Sequence, residues 1–256
     1  MTIQMDAREQ GFEGGRATIL WLTGWSMPTA AFDRIRQWLP EYRHTYADYT
    51  QAGTAEEIIQ LAETAAGSLR TSRHIEAAKS GSDERLLIAG WSLGSLLALR
   101  LASRGQADVL VLFGATARFV RPREERHLGW PDAYLKQMLA GLRKDRCEAE
   151  VKFRQLAFGD SCDNASFSPA ASWTTSALAA GLEVLRHEDY LAVLPQIGCP
   201  VLLFHGTEDK VCPLAAAEEL HRHLPRAKLV TLPGGGHAPF AGREIYIAEE
   251  IRSWWR

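Results

Sequence analysis

Hydrophobic positions along the chain follow two rhythms. Short apolar runs rich in strand formers occur at Ala17–Leu22 (ATILWL), 85–89, Val109–Phe113, 201–204 and 228–232, with a weaker candidate at 44–49. Runs of this length without alternation suit strands covered on both faces, as in a parallel sheet. Between them the spacing turns helical. Residues 29–39 place Phe32, Ile35, Trp38 and Leu39 on one side. Residues 54–69 align Ile58, Ile59, Leu61, Ala62 and Ala65 behind a capping box of Thr54 and Glu57. Further helices are predicted at 94–103, 214–224 and 244–255, and the polar stretch 70–84 is predicted as a connection. Strand and helix alternate to about residue 115 and again after Pro200, which predicts βαβ units. Residues 118–190 break the rhythm: they are charged, helical in pattern and contain no strand signal. The prediction is one α/β domain built from 1–117 and 191–256, with a mostly parallel central sheet flanked by helices. A helical cap, 118–190, is inserted over the sheet edge where such folds place their sites.

Composition narrows the class. A chain of 256 residues, 46% of them apolar, suits one large domain with a sizeable core. A net charge of −2 argues against a nucleic-acid or membrane-surface protein, and no apolar run approaches the roughly 18 residues of a membrane span. The first fifteen residues lack the apolar core of a signal peptide. The four cysteines (Cys147, Cys162, Cys199, Cys212) form neither CxxC pairs nor a dense framework, so they are expected as free thiols in a cytoplasmic protein. A monomer without a cofactor is expected.

Candidate chemistry begins at Gly90-Trp91-Ser92-Leu93-Gly94, which follows a predicted strand and opens a predicted helix. A GxSxG in that context exposes a serine hydroxyl at a sharp turn beside the positive end of a helix. Serine needs a base. Among eight histidines, His237 is the candidate, because Gly234-Gly235-Gly236 makes a loop able to carry it across the sheet. His205, at a strand end, is a weaker competitor. His221 and His223 fall on a helix and are too few for a zinc site, and no HExxH is present, so no metal is expected. The acid that orients the base should follow the strand 201–204, where Glu208 and Asp209 compete. Either gives the chain order serine, acid, histidine. The oxyanion of acyl transfer needs amide donors. Leu93, after the serine, is one, and Trp25, in the loop after the first strand, is the other.

These motifs resemble the α/β-hydrolase superfamily along nearly the whole chain. Within it, Thr23-Gly24-Trp25, GWSLG, Gly181-Leu182-Glu183-Val184-Leu185 before Cys199-Pro200, and Gly236-His237-Ala238-Pro239-Phe240 resemble the pimeloyl-[acyl-carrier protein] methyl ester esterases of biotin synthesis. The resemblance implies Ser92, Asp209 and His237 as a catalytic triad, with oxyanion donors at Trp25 and Leu93. It also implies Trp25, Trp91 and Phe153 as substrate contacts. The expected substrate is the methyl ester of an acyl chain carried on acyl-carrier protein, which would dock on cap cations such as Arg118, Arg121, Arg143 and Lys152. A hydrolase of free esters, thioesters or lactones, or a non-catalytic binder, are the alternatives. Three departures from the pattern stand out: Thr23 where histidine is usual, Ser95 where a second glycine is usual, and Asp48-Tyr49-Thr50-Gln51-Ala52-Gly53 in place of the usual Asp-x-x-Gly-x-Gly turn.

Overall fold

In a computed structural model, residues 17–80, 84–158 and 173–254 are described; Cys162 lies outside them. Six strands form one parallel sheet: β1 (Ala17–Leu22), β2 (Arg43–Tyr46), β3 (Arg85–Trp91), β4 (Val109–Phe113), β5 (Val201–Gly206) and β6 (Ala227–Leu232). Their order is β2-β1-β3-β4-β5-β6, with every neighbouring pair parallel. β1, β4 and β5 are buried along their whole length, as unbroken apolar runs require. β2 and β6 form the edges and are more open.

The helices are α1 (Asp33–Gln37), α2 (Ala55–Ser80), α3 (Leu93–Ser103), α4 (Asp132–Lys144), α5 (Arg146–Phe158), α6 (Thr175–His187), α7 (Leu214–His223) and α8 (Glu244–Trp254). Two expectations fail at their boundaries. The helix expected at 29–39 splits into a 3-10 turn, Thr29–Phe32, and the short α1, and Trp38 is exposed while Phe32, Ile35 and Leu39 are buried. The predicted connection 70–84 is mostly helix: α2 runs to Ser80. Residues 70–80 contain no glycine or proline to stop it, although the apolar period ends. Its start is as expected, since Thr54 Oγ1 accepts the Glu57 amide and the Glu57 carboxylate accepts the Gly53 amide. Among the described residues, no strand lies between β4 and β5 and no helix is long and apolar enough to cross a membrane. The insertion is bound to the sheet layer, because α6 packs on α2 and α3 as well as on α4.

Candidate active site

Ser92 occupies the turn between β3 and α3 with φ +55° and ψ −115°. Serine holds that left-handed value only where its surroundings impose it. Its amide donates to Phe113 O at 3.0 Å, tying the turn to the end of β4. Gly94 lets α3 start against β1: a Cβ there would sit 2.0 Å from Leu22 O. Ser95, which replaces the usual glycine, turns its hydroxyl back to Gly90 O at 2.8 Å and so reinforces the turn.

The carboxyl ends of β5 and β6 supply the second half of the site. His237 Nδ1 lies 2.9 Å from Asp209 Oδ2 and 3.1 Å from Oδ1. Asp209 Oδ1 also accepts the amides of Val211 (2.8 Å) and Cys212 (2.9 Å). Glu208 is exposed, so the choice that the residues alone left open falls to Asp209. Burial opposes ionisation of Asp209, but the charge and hydrogen bond of His237, then His205 and the Cys212 amide, outweigh it and hold its carboxyl below the usual range. An ionised Asp209 only accepts, so His237 carries its proton on Nδ1 and presents a lone pair on Nε2. That Nε2 is buried and has no protein partner. The Trp91 indole donates to His237 O at 2.8 Å and fixes the loop. Ser92 and His237 flank one segment: Phe113 takes the serine amide, and a Cβ on Gly114 would lie 3.1 Å from His237 Nδ1.

The loop after β1 closes the site. A Cβ on Gly24 would lie 3.5 Å from Ser92 Cβ, so its backbone passes directly beside the serine. Two departures noted in the sequence meet behind it: Tyr49 donates to Thr23 O, and its hydroxyl lies 3.2 Å from Thr23 Oγ1. Trp25 is buried and meets Phe153 edge-on, with ring centroids 4.9 Å apart. Phe153 also faces the His237 ring at 6.5 Å. Leu93, at the start of α3, is buried.

Beyond Phe153 a cavity of about 580 Å³ opens between α4 and α5 over an apolar floor of Trp130, Met138, Ala149, Phe153 and Leu156, with exposed Lys144, Lys152 and Lys210 around it. Of the three expected substrate contacts, only Phe153 lines this space. Trp25 stands behind it, and Trp91 is buried against Phe240, Phe158 and His237. Trp173 is core as well, edge-on to Tyr49. The expected carrier-docking cations divide. Arg143 is exposed, and Lys152 is exposed in a pair with Glu148. Arg118 is engaged by Glu125 and Asp189. Arg121 does not fit the expectation: it is buried and forks onto Glu219 of α7. The sequence shows its charge and Glu125 four residues on, which also pairs with it, but not Glu219, 98 residues away.

His205, the weaker competitor for the base, stands on the far side of the acid instead. It is buried behind Asp209, donates from Nε2 to Cys212 O at 2.7 Å, and lies 3.5 Å from Asp209 Oδ2. Burial lowers its pKa, so it stays neutral beside the acid. Its position at the end of a strand next to the acid was the available signal.

A parallel sheet carrying a serine at a strand–helix turn and a buried carboxylate–imidazole pair at its carboxyl end defines an α/β hydrolase. Residues 14–248 match the alpha/beta hydrolase family, and the chain belongs to it. It is similar to a pimeloyl-[acyl-carrier protein] methyl ester esterase of Nitrosomonas europaea, 32% identical over 89% of this chain and 91% of the relative. The same named enzyme of Aromatoleum aromaticum is 37% identical over 60% and 67%. Among solved structures, a bromoperoxidase of Bacillus anthracis superposes with a TM-score of 0.78 at 17% identity over 94% and 91% of the two chains. An enol-lactonase of Burkholderia xenovorans does so at 0.72 and 17%, over 95% and 93%.

Proposed function

We propose that the chain is a serine carboxylesterase working through an acyl-enzyme. One observation carries the reading: His237, braced by Asp209, holds a buried Nε2 without a protein partner at the rim that also bears Ser92. Ser92 Oγ attacks the ester carbonyl carbon while His237 Nε2 takes its proton. The amides of Leu93 and Trp25 receive the developing oxyanion. Collapse breaks the ester C–O bond, and His237 returns the proton to the departing alcohol. Water, deprotonated by the same imidazole, then releases the acid. Asp209 keeps the imidazole in the tautomer this cycle needs. Replacing Ser92 by Ala is expected to lower kcat by about 10⁴-fold or more and to abolish labelling by a fluorophosphonate, with the fold retained. Near-normal turnover in that variant rejects the assignment.

The favoured substrate is the methyl ester of a pimeloyl-type acyl chain on acyl-carrier protein, the reaction by which the relatives are named. The apolar groove beyond Phe153 suits an acyl chain, and Arg143, Lys144 and Lys152 offer cations to an acidic carrier. Methyl pimeloyl-carrier protein should be hydrolysed faster than the free methyl ester at low salt, with the advantage shrinking as salt rises. A second reading, hydrolysis of free small esters, is favoured by the internal pairing of Arg118 and Arg121. Equal rates on both substrates would select it. Rescue of a biotin-requiring strain lacking its esterase is the cellular test.

A further inference from the structure

Hydrogen bonds join the insertion to three consecutive residues of the loop after β1. Leu178 O on α6 accepts the Trp25 indole N–H at 2.7 Å. Glu150 Oε1 on α5 accepts the Ser26 hydroxyl at 2.5 Å. Arg154, one turn further on, donates to Ser26 O at 2.8 Å. Trp173 Nε1 donates to Met27 O at 3.1 Å. The loop turns tightly, since the Met27 amide donates to Gly24 O at 3.2 Å, and Ser26 stands third in that turn with φ +61°. A left-handed residue there marks a type II turn and ordinarily falls to glycine or asparagine. Serine keeps the conformation when its neighbours impose it.

Glu150 and Arg154 are each 5% exposed and Ser26 is fully buried. The second Glu150 oxygen accepts Arg146 Nε at 2.8 Å. A buried carboxylate and guanidinium are unfavourable unless hydrogen-bonded, and apolar residues would fix a cap to a core more cheaply. Both charged groups instead direct hydrogen bonds to one residue of the loop that borders Ser92.

We infer that Glu150 and Arg154 are positioning residues for the oxyanion hole: by holding Ser26 in its left-handed conformation they set where the Trp25 amide stands relative to Ser92. The inference rests on the reading of Trp25 as an oxyanion donor. Neither charged group lines the cavity beyond Phe153. Cap and oxyanion loop then form one unit, and a displacement of α5 moves the donor.

The test uses Glu150→Gln, Ser26→Gly and their combination in the full chain. Glu150→Gln keeps an oxygen for the Ser26 hydroxyl but removes the charge facing Arg146 and Arg154. Its kcat on a simple ester is expected to fall about tenfold with KM within about twofold. Affinity for a trifluoromethyl ketone, whose adduct carries the oxyanion, should fall in parallel. Glycine takes a positive φ without a Cβ, so on the Ser26→Gly background Glu150→Gln should change kcat by less than about threefold. Wild-type kcat and inhibitor affinity in Glu150→Gln, or an undiminished tenfold loss on the glycine background, overturns the inference. Should Glu150→Gln fail to fold, Ser26→Ala decides: it should be about tenfold slower than Ser26→Gly, and equal rates overturn the inference. Fluorophosphonate labelling of the wild type separates the two proposals. An unlabelled protein defeats the serine mechanism, whereas labelled Ser92 with an unaffected Glu150→Gln defeats only the positioning role.

Discussion

At position 114 a single added carbon would reach both His237 and Asp209. Gly114 has φ +50°, and a Cβ there would meet His237 O at 2.9 Å, His237 Nδ1 at 3.1 Å and Asp209 Oδ2 at 3.2 Å. Gly114→Ala therefore adds a left-handed strain of about 1–2 kcal/mol and pushes on both members of the buried pair. Steady-state kinetics should show kcat/KM lower by about 100-fold, and urea unfolding should show the stability loss. Wild-type kinetics in that variant would mean that the pair tolerates displacement and does not set the rate. Residue types also show how much of the site could be read in advance. Ser92 and His237 were legible because their flanking glycines announce special backbone. Asp209 over Glu208 was not legible from the residues, because adjacent carboxylates on a turn point different ways and only the fold says which faces inward. Thr23 and Tyr49 looked like independent departures, yet they contact each other behind the loop.

At the level of elements, the insertion is joined to the core by polar pairs that no periodicity reveals. Arg121, in the segment before α4, and Glu219, on α7, form a buried two-pronged ion pair. Removing Arg121 leaves buried Glu219 without its counterion. Arg121→Leu should cost about 3–5 kcal/mol in denaturant unfolding, and adding Glu219→Leu should restore most of it. Additive losses in the double variant would show that the two side chains act separately. The strands were legible to within a residue or two at most ends, because a doubly covered strand must be apolar throughout. α2 was underestimated because its last eleven residues stay helical on propensity and on anchors such as Arg73 to Asp108 (2.6 Å), which lie outside any local pattern.

For the molecule as a whole, acid should act through one buried and one half-buried imidazole. Burial lowers the pKa of both His205 and His44. Below their ordinary value of about 6.5 the unfolded chain takes up protons that the folded chain refuses, so stability falls as pH drops from there through the lowered values. Asp209, with its lowered carboxyl, contributes stability above the usual carboxylate range and loses it at still lower pH. The unfolding midpoint should therefore decline between pH 7 and pH 5, and His205→Gln should make that decline shallower. An unchanged slope in the variant would remove His205 from the acid response. The sequence by itself determined the strand-and-helix alternation, the helical character of the described residues between β4 and β5, the serine turn and the chain order of acid and histidine. These follow from local chemistry: apolar runs, capping residues and glycines act over a few positions. Tertiary structure alone decided which carboxylate meets His237, that Arg121 is internal, and that Glu150 and Arg154 reach Ser26 more than 120 residues away. Such partners are separated along the chain by whole elements, and their pairing depends on how those elements stack, which no local spacing encodes.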